Sequence, residues 1–186
     1  MKLGFIGGGN MAAAMIGGLL QKGFTAADIK VAETSPQRCA WLAQEYGVTA
    51  NANTDAILTA EVIVLAVKPQ QLADVLRALP ALKPEQLVLS IAAGVRASDI
   101  SRWLDHHPAV VRAMPNTPAL VGAGIAGLFA LPGVTDKQKA QANRILEAVG
   151  QAVWVQQEAQ IDVVTAISGS GPAYVFYFIE ALEQAG

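Results

Sequence analysis

One cysteine, Cys39, stands in the whole 186-residue chain, so no internal disulfide can form, and a reducing, cytoplasmic setting suits the sequence. The thiol is expected to pack as a small apolar residue on a helix. Histidine is nearly as scarce. His106 and His107 are the only two, side by side in a polar connection with no further ligand at useful spacing, which argues against a metal centre. Lys and Arg number 13 against 15 Asp and Glu, a net charge of −2. They form no block, so nothing favours nucleic acid or an anionic membrane. Charged residues of either sign make up only 15% of the chain, whereas 53% is hydrophobic, ample for a full core. The partners expected from this balance are small molecules or copies of the chain itself.

Two long stretches lack charge altogether, Leu3 to Leu20 and Ala113 to Thr135. Either reaches the length of a spanning helix, but composition opposes that reading. Gly4, Gly7, Gly8, Gly9, Gly17 and Gly18 interrupt the first, and Pro115, Pro118 and Pro132 interrupt the second. A secretory signal also fits poorly, because a single Lys2 precedes the first run and no Ala-x-Ala-like cleavage site follows it.

Divided at its glycines, the first run becomes a strand over Lys2 to Ile6, a turn, and a helix over Asn10 to Lys22 closed by Gly23. Gly7-x-Gly9-x-x-Ala12 at the junction matches the dinucleotide fingerprint in its Ala-ended form. Gly7 permits the tight turn, Gly9 lets the backbone approach a pyrophosphate, and Ala12 lets the helix pack closely on the strand. Gly8, Asn10 and Met11 complete the cradle, whose free N–H groups at the helix start favour phosphate.

Further strands are predicted at Ile29 to Glu33, Val48 to Ala50, Glu61 to Val67, Gln86 to Ile91 and Ala109 to Met114. Helices are predicted at Pro36 to Tyr46, Pro69 to Leu79 and Ala97 to Leu104. Continuous apolar strands alternating with helices specify an α/β class: a doubly wound, mostly parallel Rossmann-type sheet with its ligand across the carboxyl ends of the strands. A helix over Pro172 to Ala185 is apolar all round from Ala173 to Ile179.

The loops after successive strands are the candidate binding elements: Gly7 to Ala12, then Glu33-Thr34-Ser35, Ala66-Val67-Lys68-Pro69 and Ala92-Ala93-Gly94. In the second loop Glu33 suits a free ribose 2′-hydroxyl, whereas Thr34, Ser35 and nearby Arg38 suit a 2′-phosphate. Both choices stay open. The loop after the sixth strand, Met114 to Leu120 ("MPNTPAL"), lies where a substrate would approach a nicotinamide, with Met114, Pro115, Asn116 and Thr117 at its start. Ser168-Gly169-Ser170-Gly171-Pro172 does not match a nucleophile elbow and reads as an anion-friendly helix start, capped by Ser170 or Gly171 with Pro172 in its first turn.

Five motifs, "GFIGGGNMA" (Gly4 to Ala12), "AVKPQ" (Ala66 to Gln70), "SIAAGV" (Ser90 to Val95), "RAMPNTPALVGAG" (Arg112 to Gly124) and "SGSGPAYVF" (Ser168 to Phe176), resemble the pyrroline-5-carboxylate reductase family in order and spacing. The fourth and fifth separate the chain from related hydroxyacid dehydrogenases. The resemblance implies reduction of 1-pyrroline-5-carboxylate to L-proline by NADPH, with NADH also possible, in proline biosynthesis. It further implies that Ser35, Asn53, Ala66 to Pro69, Ile91, Ala92 and Ala93 contact the cofactor, and that Met114 to Thr117 and Ser168 to Pro172 line the substrate pocket. A 6-phosphogluconate-type dehydrogenase is the enzyme alternative, and a dinucleotide-binding fragment the non-enzyme one.

The family continues into an all-helical dimerisation domain that forms an interlocked dimer and carries a Ser-x-Gly-Gly-Thr-Thr segment for the substrate carboxylate. Residues 1–160 are therefore expected to form the dinucleotide-binding domain, and 161–186 the beginning of the helical one. Resemblance implies a homodimer or higher oligomer. A chain ending at Gly186 is expected to bind dinucleotide but to turn over substrate poorly by itself.

Overall fold

A computed structural model describes residues 1–186. Its core is one eight-stranded sheet in the order β3-β2-β1-β4-β5-β6-β7-β8. The first six strands are β1 (Leu3–Ile6), β2 (Ile29–Ala32), β3 (Thr49–Asn51), β4 (Val62–Leu65), β5 (Leu87–Ser90) and β6 (Val110–Met114), all parallel. Between them run α1 (Asn10–Gln21), α2 (Pro36–Tyr46), α3 (Pro69–Arg77) and α4 (Ala97–Trp103). Chain direction across the sheet reverses between β1 and β4, and that switch point opens a crevice at the carboxyl ends of the strands.

The period of two divides each strand between two cores. Phe5, Val31, Val64, Leu89 and Val111 face Met15, Ile16 and Leu19 of α1, while Ile63, Leu65, Val88 and Val110 face Leu72 and Leu76 of α3 and Ile100 of α4. All of these side chains are essentially inaccessible to water. Burial on both faces explains why the strands read as unbroken apolar runs.

Residues 115–167 hold more regular structure than the sequence suggests. The proline- and glycine-rich run contains β7 (Gly124–Ala130), which pairs antiparallel with β6. It is followed by α5 (Asp136–Leu146) and β8 (Gly150–Trp154), the latter parallel to β7 at the sheet edge. α5 begins with a reciprocal cap: the Thr135 hydroxyl accepts from the Gln138 N–H, and the Gln138 side chain accepts from the Thr135 N–H.

The final segment is nearly continuous helix: α6 (Ala159–Val164), a π-helical turn over Thr165–Gly169, and α7 (Gly171–Ala185). Pro172 falls in the first turn of α7 as expected. The cap is different, because Ser170 is itself in the right-handed helical region and makes no side-chain capping bond. The preceding helix already directs the chain, so α7 has no free start of the kind the sequence implies. No helix is long and apolar enough to cross a membrane.

His107 also departs from its expected place in a polar connection. It is buried, with Nε2 donating to the Gln86 carbonyl at 2.7 Å.

Candidate functional site

A cleft of about 400 Å³ opens at the switch point. Of the candidate residues, Gly7, Gly8, Gly9, Thr34, Ala66, Val67 and Lys68 line it, joined by Glu33. Gln71, Val75, Ala78 and Leu79 form a further wall, which the sequence does not announce. Their helical spacing was visible, but only the packing of α3 against the β4 end turns that face toward the cleft.

The glycine turn has the shape that a pyrophosphate requires. Gly7 lies at φ +96°, and a Cβ there would sit 2.7 Å from the Ala66 carbonyl oxygen, so only glycine fits between the β1 and β4 ends. At Gly9 a Cβ would meet nothing within 4 Å, so the space beside the backbone is open. Gly9 is the N-cap of α1, and no side chain caps this helix. The first-turn N–H groups of Asn10, Met11 and Ala12 are thus left for a ligand.

Gly8 is held from both sides by the β2–α2 connection. Its N–H donates to Glu33 Oε2 at 2.9 Å, and its carbonyl accepts from Arg38 Nε. Glu33 Oε1 accepts from the Ser35 N–H at 2.8 Å, and the Arg38 guanidinium lies 4.1 Å above the Trp41 ring. Burial pushes the Glu33 pKa upward, but hydrogen bonds from the Ser35, Gly8 and Thr34 backbone outweigh it and hold the carboxyl below its ordinary value. Ser35 caps α2, its hydroxyl accepting from the Arg38 N–H at 3.3 Å. Cys39, half-buried on α2, donates its thiol to the Glu33 carbonyl, and burial raises its pKa.

The remaining cofactor candidates lie outside the cleft lining. Asn53 is exposed, its backbone and side chain engaged in turns with Asn51 and Asp55, while its neighbours Ala52 and Thr54 do line the cleft. Pro69 opens α3. Ile91, Ala92 and Ala93 follow β5, with the Ala92 N–H donating to Ser90 Oγ.

The two motifs expected to line a substrate pocket meet although 52 positions separate Asn116 from Ser168. Asn116 Nδ2 donates to Ser168 Oγ at 3.1 Å, while Asn116 Oδ1 accepts from the Ile125 N–H at 2.9 Å. Both functional groups of the amide are therefore used. The bond leaves the Ser168 hydroxyl proton available to another acceptor. Met114 packs against Gly169 so closely that a Cβ there would lie 2.6 Å from the Met114 methyl.

A glycine cradle at the switch point of a 3-2-1-4-5-6 parallel sheet defines a dinucleotide-binding protein of the Rossmann class. Residues 2–94 match the family model described as NADP oxidoreductase coenzyme F420-dependent, and residues 158–186 match that of pyrroline-5-carboxylate reductase dimerisation. The pyrroline-5-carboxylate reductase of Pseudomonas aeruginosa is 48% identical over 187 aligned residues, an alignment covering all of this chain and 68% of that protein. The chain belongs to the pyrroline-5-carboxylate reductase family.

Solved structures agree. The pyrroline-5-carboxylate reductase of Coxiella burnetii superposes with a TM-score of 0.89 at 41% identity, covering 99% of this chain and 69% of that one. The Plasmodium falciparum pyrroline carboxylate reductase, solved with NADP bound, gives 0.85 at 30% identity, covering 100% and 69%.

Proposed function

We propose that the protein reduces 1-pyrroline-5-carboxylate to L-proline, with NADPH as preferred reductant and NADH as a second one, in proline biosynthesis. The observation that carries this reading is the Asn116–Ser168 hydrogen bond, which brings together the two motifs distinctive of the family at the carboxyl end of the sheet. The open flank of Gly9 and the uncapped α1 amino terminus fit a dinucleotide pyrophosphate.

When bound, the nicotinamide supplies a hydride to the imine carbon. The chain's residues have the tasks of binding, orienting and drying the site. Gly7 to Ala12 hold the pyrophosphate, with Thr34 and Ser35 toward the adenosine ribose and its 2′-phosphate. Ala66 to Pro69, Ile91 to Ala93 and Asn53 complete the cofactor contacts. Met114 to Thr117 and Ser168 to Pro172 enclose the substrate, where the free proton of Ser168 can anchor a substrate oxygen. A protonated cyclic imine is already electrophilic, so hydride addition gives the secondary amine without a dedicated acid on the protein. Steady-state assay with pyrroline-5-carboxylate tests the reading: turnover with NADPH supports it, and acceptance of a hydroxyacid or ketoacid in its place overturns it.

Residues 1–160 serve as the dinucleotide domain and 161–186 as the first part of the helical domain, through which two copies pair as a homodimer. The support for pairing is the exposure of Tyr174, Phe176, Tyr177 and Phe178 on α7, together with the dimerisation family match. The single free thiol suits a cytoplasmic location.

A further inference from the structure

Arg112 stands at the centre of β6, on the same face as Val110, and is only 2% exposed. Its strand neighbours in register are Ser90 on β5 and Phe129 on β7, neither of which is charged. An arginine in the middle of a sheet is costly unless its charge is matched, so its partners matter. They come from far along the chain. Nη2 donates to Asp162 at 2.7 Å and Nη1 to Glu158 at 3.3 Å, and the same Glu158 oxygen accepts the Ala97 N–H of α4 at 2.7 Å. Nothing in the proposed chemistry uses this cluster.

Glu158 and Asp162 lie at the start and within the first turn of α6, which runs through the π turn directly into Ser168-Gly169-Ser170-Gly171. Arg112 lies two residues before Met114 and four before Asn116, the residues that meet Gly169 and Ser168. Helix α6 is therefore fixed to β6 at its beginning by Arg112, and the substrate loop at its end rests on the continuation of the same strand. The guanidinium fork suits this task because it reaches two carboxylates through separate nitrogens, which a lysine ammonium on a single point cannot reproduce.

We infer that Arg112 is a positioning residue for the reductase reaction: through Glu158 and Asp162 it sets where α6 delivers the Ser168–Pro172 loop against Met114 and Asn116. The inference rests on the reading of that loop as substrate pocket. The glycine cradle, on β1 and the other side of the switch point, is untouched by it.

The test compares Arg112→Lys, Arg112→Met and Asp162→Asn with the unaltered chain. KM for pyrroline-5-carboxylate should rise about tenfold or more in Arg112→Met and less in Arg112→Lys, because a displacement of an ångström at a substrate contact carries effects of that size. The dissociation constant for NADPH should stay within about twofold. Amide hydrogen exchange across residues 159–171 should quicken while that of β1 to β5 does not. A variant that merely lowers the folded fraction would reduce apparent kcat at unchanged KM and quicken exchange in β1 to β5 as well as in 159–171, and that result overturns the inference. Asp162 is two-thirds exposed, so Asp162→Asn will fold even if Arg112→Met does not. Unchanged KM and exchange in both Asp162→Asn and Arg112→Lys would also overturn it. Should the unaltered chain not reduce pyrroline-5-carboxylate at all, as its expected poor turnover allows, the KM comparison falls away and hydrogen exchange alone decides whether Arg112 holds the segment.

Discussion

Glu33 Oε2 accepts the Gly8 N–H at 2.9 Å, so the carboxylate immediately after β2 is turned into the glycine loop. Its second oxygen accepts from Ser35. An acid at this position commonly reads the ribose hydroxyls, but here it ties the β1–α1 turn to the β2–α2 turn. Arg38 completes the tie by donating to the carbonyl of the same glycine. This arrangement ties the cradle to the β2–α2 turn through the chain's own hydrogen bonds and reconciles an acidic residue with a cofactor bearing a 2′-phosphate.

Glu33→Ala should therefore weaken NADPH and NADH together, by about tenfold each, the loss of roughly one charge-assisted hydrogen bond in a half-buried site. The ratio of the two affinities should change by less than about threefold. Fluorescence titration with both cofactors measures it. Selective loss of NADH would show instead that Glu33 reads the ribose 2′-hydroxyl.

Gly7 and Gly9 should fail differently. Gly7→Ala places a side chain at φ +96° against the Ala66 carbonyl, costing about 1–2 kcal/mol from the backbone alone, so both Tm and binding should fall. Gly9 has an ordinary φ of −64° and open space beside it. Gly9→Ala should keep its Tm and lose cofactor affinity. Calorimetry beside a binding titration separates the cases; equal loss of Tm in both would mean that Gly9 serves the fold.

Much of the site was legible because it rests on local rules. Gly7-x-Gly9-x-x-Ala12 needs a turn and a helix start, and both are encoded within a dozen residues. The β7 strand was not, because Gly124 to Ala130 sits among prolines and pairs with β6 by a tertiary choice that its composition does not display. For α5 a readable signal existed in Thr135-Asp-Lys-Gln138, the reciprocal cap. Arg112 was visible as an oddity in an apolar strand, but its partners lie 46 and 50 positions away. The inward turn of Glu33 likewise depends on where β1 and β2 place their ends.

His107 should make stability depend on pH. Burial lowers its pKa below the ordinary 6.5, against the raising effect of its bond to the Gln86 carbonyl. The unfolded chain then binds the proton more readily than the folded one. Its contribution to stability is fully present above pH 6.5 and is lost as pH falls from there through the folded pKa. His107→Gln, which can still donate to Gln86, should flatten the slope of unfolding free energy over this interval in urea titrations. An unchanged slope would assign the dependence to other groups.

Helix α7 should make the protein self-associate. Tyr174, Phe178 and Leu182 follow one another at four-residue spacing along one side, whereas Val175, Phe176, Tyr177 and Ile179 occupy the remaining directions; all are between 45% and 76% exposed. A helix that is apolar all round cannot be covered by the one surface it adjoins, so more than one neighbouring helix must surround it. Burying each such side chain contributes about 1.5–3 kcal/mol, and a handful of them exceeds what a stable dimer requires even after the cost of association. Light scattering on the purified chain should therefore report dimers or larger species. Phe176→Glu combined with Phe178→Glu sets charge on two sides of the helix and should release monomers. Because α7 lies apart from the glycine cradle, those monomers should still bind NADPH with the affinity of the parent. A parent chain that stays monomeric at tens of micromolar with α7 ordered would show that the helix is not an assembly surface.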